Sequence, residues 1–321
     1  LFFELREERD GEVLRGFGES SAVSAYGMPA EKIAAALEPH LERIAQVDWE
    51  EPDQLHQALH PWLGDKPFAL CAVDLAAHDL WGQRHGKPLH QLWGLEFTGD
   101  EPASNYTIGI DTIPRMGMKL QEFPGWPIYK VKLGTPEDVA IMKSLRGYAP
   151  DAAFRVDANT AWSAQTTLKN ADQMVRLGVE FLEQPLQVDD VKGMRHVKTH
   201  CRLPVMADES CQIEGDVARC AEFFDGVNIK LTKCGGLTPA RRMIAKAREL
   251  GLKVMVGCMT ETTVGCSAIA QLLPLLDYVD MDGVVLVAED VAEGLTLDRG
   301  RAVLSGGPGL GLTWHGEERS Q

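Results

Sequence analysis

The chain has 321 residues, with 32 Lys and Arg against 47 Asp and Glu, and its formal net charge of −15 argues against nucleic acid or an anionic membrane as partner. A hydrophobic content of 45% and a charged content of 25% are those of a globular protein, long enough for two domains or for one barrel with an appendage. Seven cysteines without a C-x-x-C pair, no apolar run of transmembrane length and no visible signal peptide predict a cytoplasmic protein with reduced thiols, without disulfides or zinc.

Residues 1 to about 20 alternate as a hairpin, FFELRE and VLRGFGES, about a turn at Asp10-Gly11. From Pro29 to about Val47, the spacing of Ile33, Leu37, Leu41 and Ile44 predicts one helix, with Pro29 suited to its first turn. Pro67 opens a second, PFALCAVDLAAHDLWGQRHG, closed by Gly86. This stretch lacks the period found downstream and reads as a separate α+β domain over residues 1–100.

Beyond it, short β-rich runs return about every 25 residues: NYTIG (105–109), YKVKLG (129–134), FRVDAN (154–159), VEFLEQ (179–184), PVMADE (204–209), GVNIKL (226–231), KVMVGC (253–258) and YVDMDG (278–283). That spacing leaves room for one strand and one crossover helix, so residues 101–289 read as an α/β barrel of the TIM type. Residues 290–321 hold no further barrel unit and are expected to return to the first domain. GGPGLG at 306–311 lacks the lysine and the strand-to-helix context of a phosphate loop and reads as a turn, as does Cys234-Gly235-Gly236. His196 and His200 face solvent by pattern and carry no chemistry.

Nearly every barrel run ends in an ionisable residue: Lys132, Asp157, Glu183, Asp208, Lys230, then Asp280 and Asp282. In such barrels the carboxyl ends of the strands build the active site, so these side chains converge on one mouth. Strand alternation puts Lys130 and Lys132 on one wall. Asp157, Glu183 and Asp208 end three consecutive strands, and carboxylates converging without cationic partners repel until a hard divalent cation joins them. Three oxygen donors with no His or Cys beside them favour Mg²⁺ over zinc, with Asn159 in support; the competing reading is ion pairing with Lys132 and Lys230. Those two lysines end the second and sixth strands, on opposite sides of an eight-stranded barrel, where either could remove the α-proton of a metal-held carboxylate to give an enediolate. Lys233 lies past the strand end, and alternation favours Lys230 as the inward base.

The motifs K-V-K (130–132), D-A-N (157–159), E-Q-P (183–185), A-D-E-S (207–210), N-I-K-L (228–231) and K-C-G-G (233–236) resemble the enolase superfamily, muconate-lactonizing-enzyme subgroup, over essentially the whole chain. D-M-D at 280–282 resembles the eighth-strand D-x-D of dipeptide epimerases of the Ala-Glu type. The resemblance implies a modified (β/α)7β TIM barrel with an α+β capping domain formed by the N-terminal segment and the C-terminal tail. It implies one Mg²⁺ per subunit on Asp157, Glu183 and Asp208, Lys132 and Lys230 as the acid/base pair, Lys130 on the substrate carboxylate, and Asp280 and Asp282 on the ammonium of a dipeptide. Thr107, Cys258 and Thr260 fall at substrate-lining positions. It also implies a homo-oligomer, L-Ala-D/L-Glu as default substrate, and a first cap strand and mobile loop upstream of Leu1. The retained cap segment 16–27 carries no basic residue, so the second side chain stays open. The competing activities on the same platform are N-acylamino acid racemisation, o-succinylbenzoate formation and cycloisomerisation, none of which has an ammonium for Asp280 and Asp282 to hold. A non-catalytic barrel would show degraded bases or ligands, whereas every expected position is filled.

Overall fold

A computed structural model describes residues 1–9 and 11–316 of the chain. It opens with strands β1 (Phe2–Arg9) and β2 (Glu12–Glu19), paired antiparallel from Phe2↔Glu19 to Arg9↔Glu12. Asp10, half of the expected turn, lies outside the described residues. The single helix expected over 29–47 is broken: α1 (Ala30–Leu37) gives way to a 3-10 turn at Glu38–His40 before α2 (Leu41–Gln46). Pro39 explains the break, because it has no N–H to donate and its ring crowds the preceding turn. A further helix, α3 (Pro52–Leu63), went unread in the sequence; its start is a capping box of Glu51 and Gln54. Helix α4 (Pro67–His85) ends at Gly86 with φ +60, as expected, and a short α5 (Leu89–Leu92) follows.

Helix α4 is apolar nearly all round because it is the spine of the cap. β2 lies so close on one side that a Cβ at Gly18 would stand 2.0 Å from the Ala72 carbonyl oxygen. On the other side Leu55, Leu59 and Leu63 of α3 pack with Phe68, Ala69 and Val73. Asp79 of α4 is fully buried and accepts the amides of Phe17 (2.9 Å) and Leu310 (2.8 Å), tying hairpin, helix and tail together. Burial pushes its carboxyl up to about 6. The variant D79A, which orphans two buried amides, is expected to lose about 2–4 kcal/mol of stability in urea unfolding.

The barrel strands are β3 (Tyr106–Ile108), β4 (Ile128–Lys132), β5 (Ala153–Asp157), β6 (Val179–Glu183), β7 (Val205–Ala207), β8 (Gly226–Ile229), β9 (Lys253–Gly257) and β10 (Tyr278–Asp280). They form one parallel sheet in sequence order, and a parallel bridge from Ser104 to Val279 closes it. Between them run α6 (Ile113–Glu122), α7 (Asp138–Tyr148), α8 (Ala164–Arg176), α9 (Val191–His200), α10 (Asp216–Cys220), α11 (Leu231–Cys234), α12 (Leu237–Glu249) and α13 (Thr263–Ala270), with a short α14 (Gly283–Leu286) after the last strand. Each strand coincides with a run read from the sequence, β4 and β5 each starting one residue earlier, at Ile128 and Ala153, and the (β/α)7β barrel with its α+β cap is borne out. Alternation sends Tyr129 and Val131 outward against Leu120, Met142 and Leu145, and Lys130 and Lys132 inward. Deep inside, Phe181, Met206 and Met255 pack together, with the Arg155 guanidinium over the rings of Phe181 and Tyr278.

The tail forms short strands β11 (Ala292–Glu293), β12 (Thr296–Asp298), β13 (Arg301–Val303) and β14 (Thr313–Trp314). Trp314 stacks on Phe17 with centroids 4.5 Å apart and meets Phe2 edge-on, so the tail reaches the hairpin. Gly309 sits against Asp79 and Gly82, which makes GGPGLG a packing turn.

Candidate active site

Asp157, Glu183 and Asp208 end β5 and β6 and follow β7; their carboxylate oxygens lie within 4.8 Å of one another, and each residue is at most 1% exposed. The backbone that delivers them is held against its own preference: Asn159, Thr160 and Gln184 adopt positive φ at these strand ends, a strain that persists only where surrounding contacts fix it. Gln184 in turn braces the third carboxylate, its Oε1 accepting the amides of Asp208 and Ser210 (3.0 Å each).

The sequence reading left these carboxylates without cationic partners, and this is corrected. Lys132 Nζ lies 2.6 Å from Asp157 Oδ2, Lys230 Nζ 3.0 Å from Asp208 Oδ2, and Lys130 Nζ 3.2 Å from Asp157, 2.8 Å from Glu183 and 3.0 Å from Asp280. Lys233, set aside as pointing away, is buried and donates to the backbone oxygen of Asp208 (2.8 Å) and to its carboxylate (2.5 Å). It lies in the helical turn α11 after β8, and a helix turn folds a side chain back over the strand end, a direction that strand alternation does not describe. The ion pairs offered as the alternative to a metal site are therefore formed.

The charges sort accordingly. Burial works against ionising Asp208, but Lys230, Lys233 and Lys130 outweigh it and hold the carboxyl well below its usual range; Lys130 and Lys132 lower Asp157 against its burial. At Glu183 burial and the neighbouring Asp157 win over Lys130 and push the carboxyl up to about 7. Burial alone would lower Lys230, yet Asp208 raises it above the ordinary lysine range. An all-oxygen trio of buried carboxylates converging within one ion's reach is the donor set of a hard divalent cation, and the residues fit Mg²⁺.

Across the mouth, Asp280 accepts from Asn105 Nδ2 (2.7 Å) and Lys130 (3.0 Å), and Asp282 from the Thr107 amide (2.7 Å), with Cys258 Sγ 3.9 Å away. Lys130 thus spans the carboxylate trio and the D-x-D pair. Lys130 lowers Asp280 against its burial, while burial and Asp280 push Asp282 up to about 7. Cys258 is buried beside Cys266, which with desolvation holds its thiol well above its usual range, so it is a neutral wall of the site. The Thr260 residue is exposed, and its carbonyl accepts from Ser21 Oγ of the cap at 2.9 Å.

Four further groups escaped the sequence reading. Asn228 Nδ2 donates to Glu183 Oε1 at 2.7 Å, and Glu209 Oε1 accepts from Asn159. Glu261 is buried and driven up to about 8 by that burial and by Glu19. Tyr26 of the cap has its hydroxyl pushed up by burial and by Asp208. Asn228 and Glu209 sit inside motifs already singled out, and alternation could have found Asn228, two residues before Lys230.

Residues 118–319 match the family model described as "Enolase C-terminal domain-like". The chain belongs to this family. It is 52% identical over 303 residues to the L-Ala-D/L-amino acid epimerase of Maribacter sp., covering 92% of this chain and 88% of that one. It is 50% identical over 306 residues to the protein of the same name from Flavobacterium johnsoniae, covering 95% and 90%. The crystal structure of dipeptide epimerase from Methylococcus capsulatus complexed with Mg ion superimposes with a TM-score of 0.87 at 31% identity, over 98% of this chain and 93% of that one. The resemblance to the dipeptide-epimerase type of the enolase superfamily is borne out. Among the described residues, no helix is long and apolar enough to cross a membrane.

Proposed function

We propose that this protein is a Mg²⁺-dependent isomerase that epimerises dipeptides at the α-carbon of their C-terminal residue, with L-Ala-D/L-amino acid dipeptides as its substrates. The observation that carries the reading is the two-ended mouth. Three carboxylates with Lys132, Lys230 and Lys233 stand at one end, the buried Asp280 and Asp282 at the other, and Lys130 lies between them. A dipeptide has a carboxylate for the first end and an ammonium for the second; an N-acylamino acid or a muconate lacks the ammonium. The two relatives named above are called L-Ala-D/L-amino acid epimerases, a broader class than the L-Ala-D/L-Glu default of the sequence reading.

Asp157, Glu183 and Asp208 would hold the cation, which when bound would supply Lewis-acid stabilisation of the substrate carboxylate. Lys130 adds a fixed positive charge beside that carboxylate, where negative charge grows as the α-proton leaves. Lys132 at the end of β4 and Lys230 just past β8 face the α-carbon from opposite walls. Whichever is neutral takes the proton, and the other, protonated, returns one to the opposite face. Lys230 lies 3.0 Å from Asp208, whose charge raises its pKa and favours its protonated form. Asp280 and Asp282 bind the ammonium and fix which end of the dipeptide reaches the lysines. The seven free thiols suit a cytoplasmic enzyme, and a homo-oligomer belongs to the same reading.

In D₂O with Mg²⁺ and a library of L-Ala-Xaa dipeptides, ¹H NMR is expected to show the C-terminal α-proton signal disappearing for a subset of Xaa, with EDTA stopping the exchange. Exchange of N-acyl or N-succinyl amino acids but of no dipeptide would replace this reading with the racemase.

A further inference from the structure

We propose that Glu19, in the capping domain, is a positioning residue for recognition of the substrate's ammonium group, acting through the loop between β9 and α13. The inference rests on the reading above that Asp280 and Asp282 receive that ammonium. Glu19 ends β2 and is 5% exposed. Its carboxylate accepts the Thr262 amide at both oxygens (3.1 Å each), the Thr262 hydroxyl (2.7 Å) and the Gly265 amide (2.9 Å). Two residues on, Ser21 Oγ donates to the Thr260 carbonyl. The cap therefore grips the barrel at residues 260 and 262 of that loop and at Gly265 in the first turn of α13, across more than 230 residues of sequence.

That loop is the wall against which Asp282 is set. It leans on Gly283, the next residue, so tightly that a Cβ there would stand 2.2 Å from the Glu261 carbonyl oxygen and 3.1 Å from Cys266 Sγ. At its start, the Cys258 amide donates to the Asp280 carbonyl (2.7 Å), and the thiol faces the Asp282 carboxylate. Asp282 is thus fixed by the Thr107 amide on one side and by this loop on the other. Room for the grip is specific: a Cβ at Gly265 would lie 2.8 Å from Glu261 Oε2 and 3.1 Å from Glu19 Oε2, so the two acidic side chains close over a residue without one. A carboxylate also suits the task better than an amide. All its donors are N–H or O–H groups, whereas glutamine would turn its own NH₂ against one of them.

The test compares a dipeptide with its des-amino analogue, an N-propionyl amino acid, by α-proton exchange on the full chain, in wild type, Glu19→Gln and Thr262→Val. Both variants nearly conserve volume, and Thr262→Val keeps the backbone donor. Wild type is expected to favour the dipeptide. Glu19→Gln should raise KM for the dipeptide about tenfold with kcat within about twofold, leaving the analogue unchanged, and Thr262→Val should do the same to a smaller extent. An equal change for both substrates, or a loss of thermal stability with kinetics intact, would make Glu19 a structural clamp and overturn the proposal. A wild type that treats the two substrates alike would instead remove the ammonium reading itself, and this proposal with it.

Discussion

Replacing Lys132 by alanine is expected to abolish α-proton exchange of one isomer of the dipeptide while the other isomer still exchanges with solvent. Two bases on opposite walls require this asymmetry, since each lysine reaches only the face of the α-carbon turned toward it. The residual rate on the silent face should lie about 10²- to 10⁴-fold below wild type, the usual contribution of a positioned base. Lys230→Ala should reverse the pattern and silence the other isomer. Net epimerisation must fail in both variants, because inversion needs removal on one face and return on the other. Persistence of exchange on the second face also serves as a control: it shows that the carboxylate trio still works after Asp157 has lost its 2.6 Å partner. The measurement is ¹H NMR of each pure isomer in D₂O. Equal residual exchange of the two isomers in K132A would contradict the assignment of one lysine to each face.

The barrel was legible because its physics repeats. A short strand buried on both sides and a helix that covers it need about the same length of chain each time, so eight runs announced eight strands, and the ionisable residue closing nearly every run announced the mouth. Alternation then fixed Lys130 and Lys132 to the inside. What the sequence did not show lies where those periodicities stop. Lys233 sits one helical turn past β8 and folds back onto Asp208, so alternation misplaced it. Pro39 divided a helix whose apolar spacing ran on across the break, and α3 was missed although the capping box of Glu51 and Gln54 marks its start. The cationic partners of the three carboxylates depend on which lysines share the barrel interior, a property of closure and not of any local pattern. Glu19 and Thr262 meet only because the cap folds over the barrel, and neither carries a motif of its own.

Substituting Asp280 and Asp282 together by asparagine is expected to lower kcat/KM for dipeptides by about 10²-fold or more, because each charge-assisted hydrogen bond to an ammonium is worth roughly 1.5–3 kcal/mol when desolvated. Lys130 makes the two positions unequal. Asp280 is already spent in part on that lysine at 3.0 Å and keeps a lowered pKa, so D280N also frees Lys130 and disturbs the carboxylate end. Asp282 has no ammonium or guanidinium of the protein within salt-bridge distance among the described residues, and burial and Asp280 push it up to about 7. It is therefore the aspartate with charge to offer, and only in its ionised form. The sign follows: below about 7 the carboxyl is protonated and binds an ammonium poorly, above it the carboxylate binds well. KM for a dipeptide should accordingly fall as pH rises from about 6 to 8, and a bound ammonium, by stabilising the carboxylate, should draw the pKa of Asp282 down in the complex. D282N should flatten that part of the profile while retaining the kcat limits that belong to the coupled lysines. The comparison is made with steady-state exchange rates across pH for wild type and D282N. A pH dependence of KM that survives in D282N would assign the titration elsewhere and take from Asp282 the task of holding the ammonium.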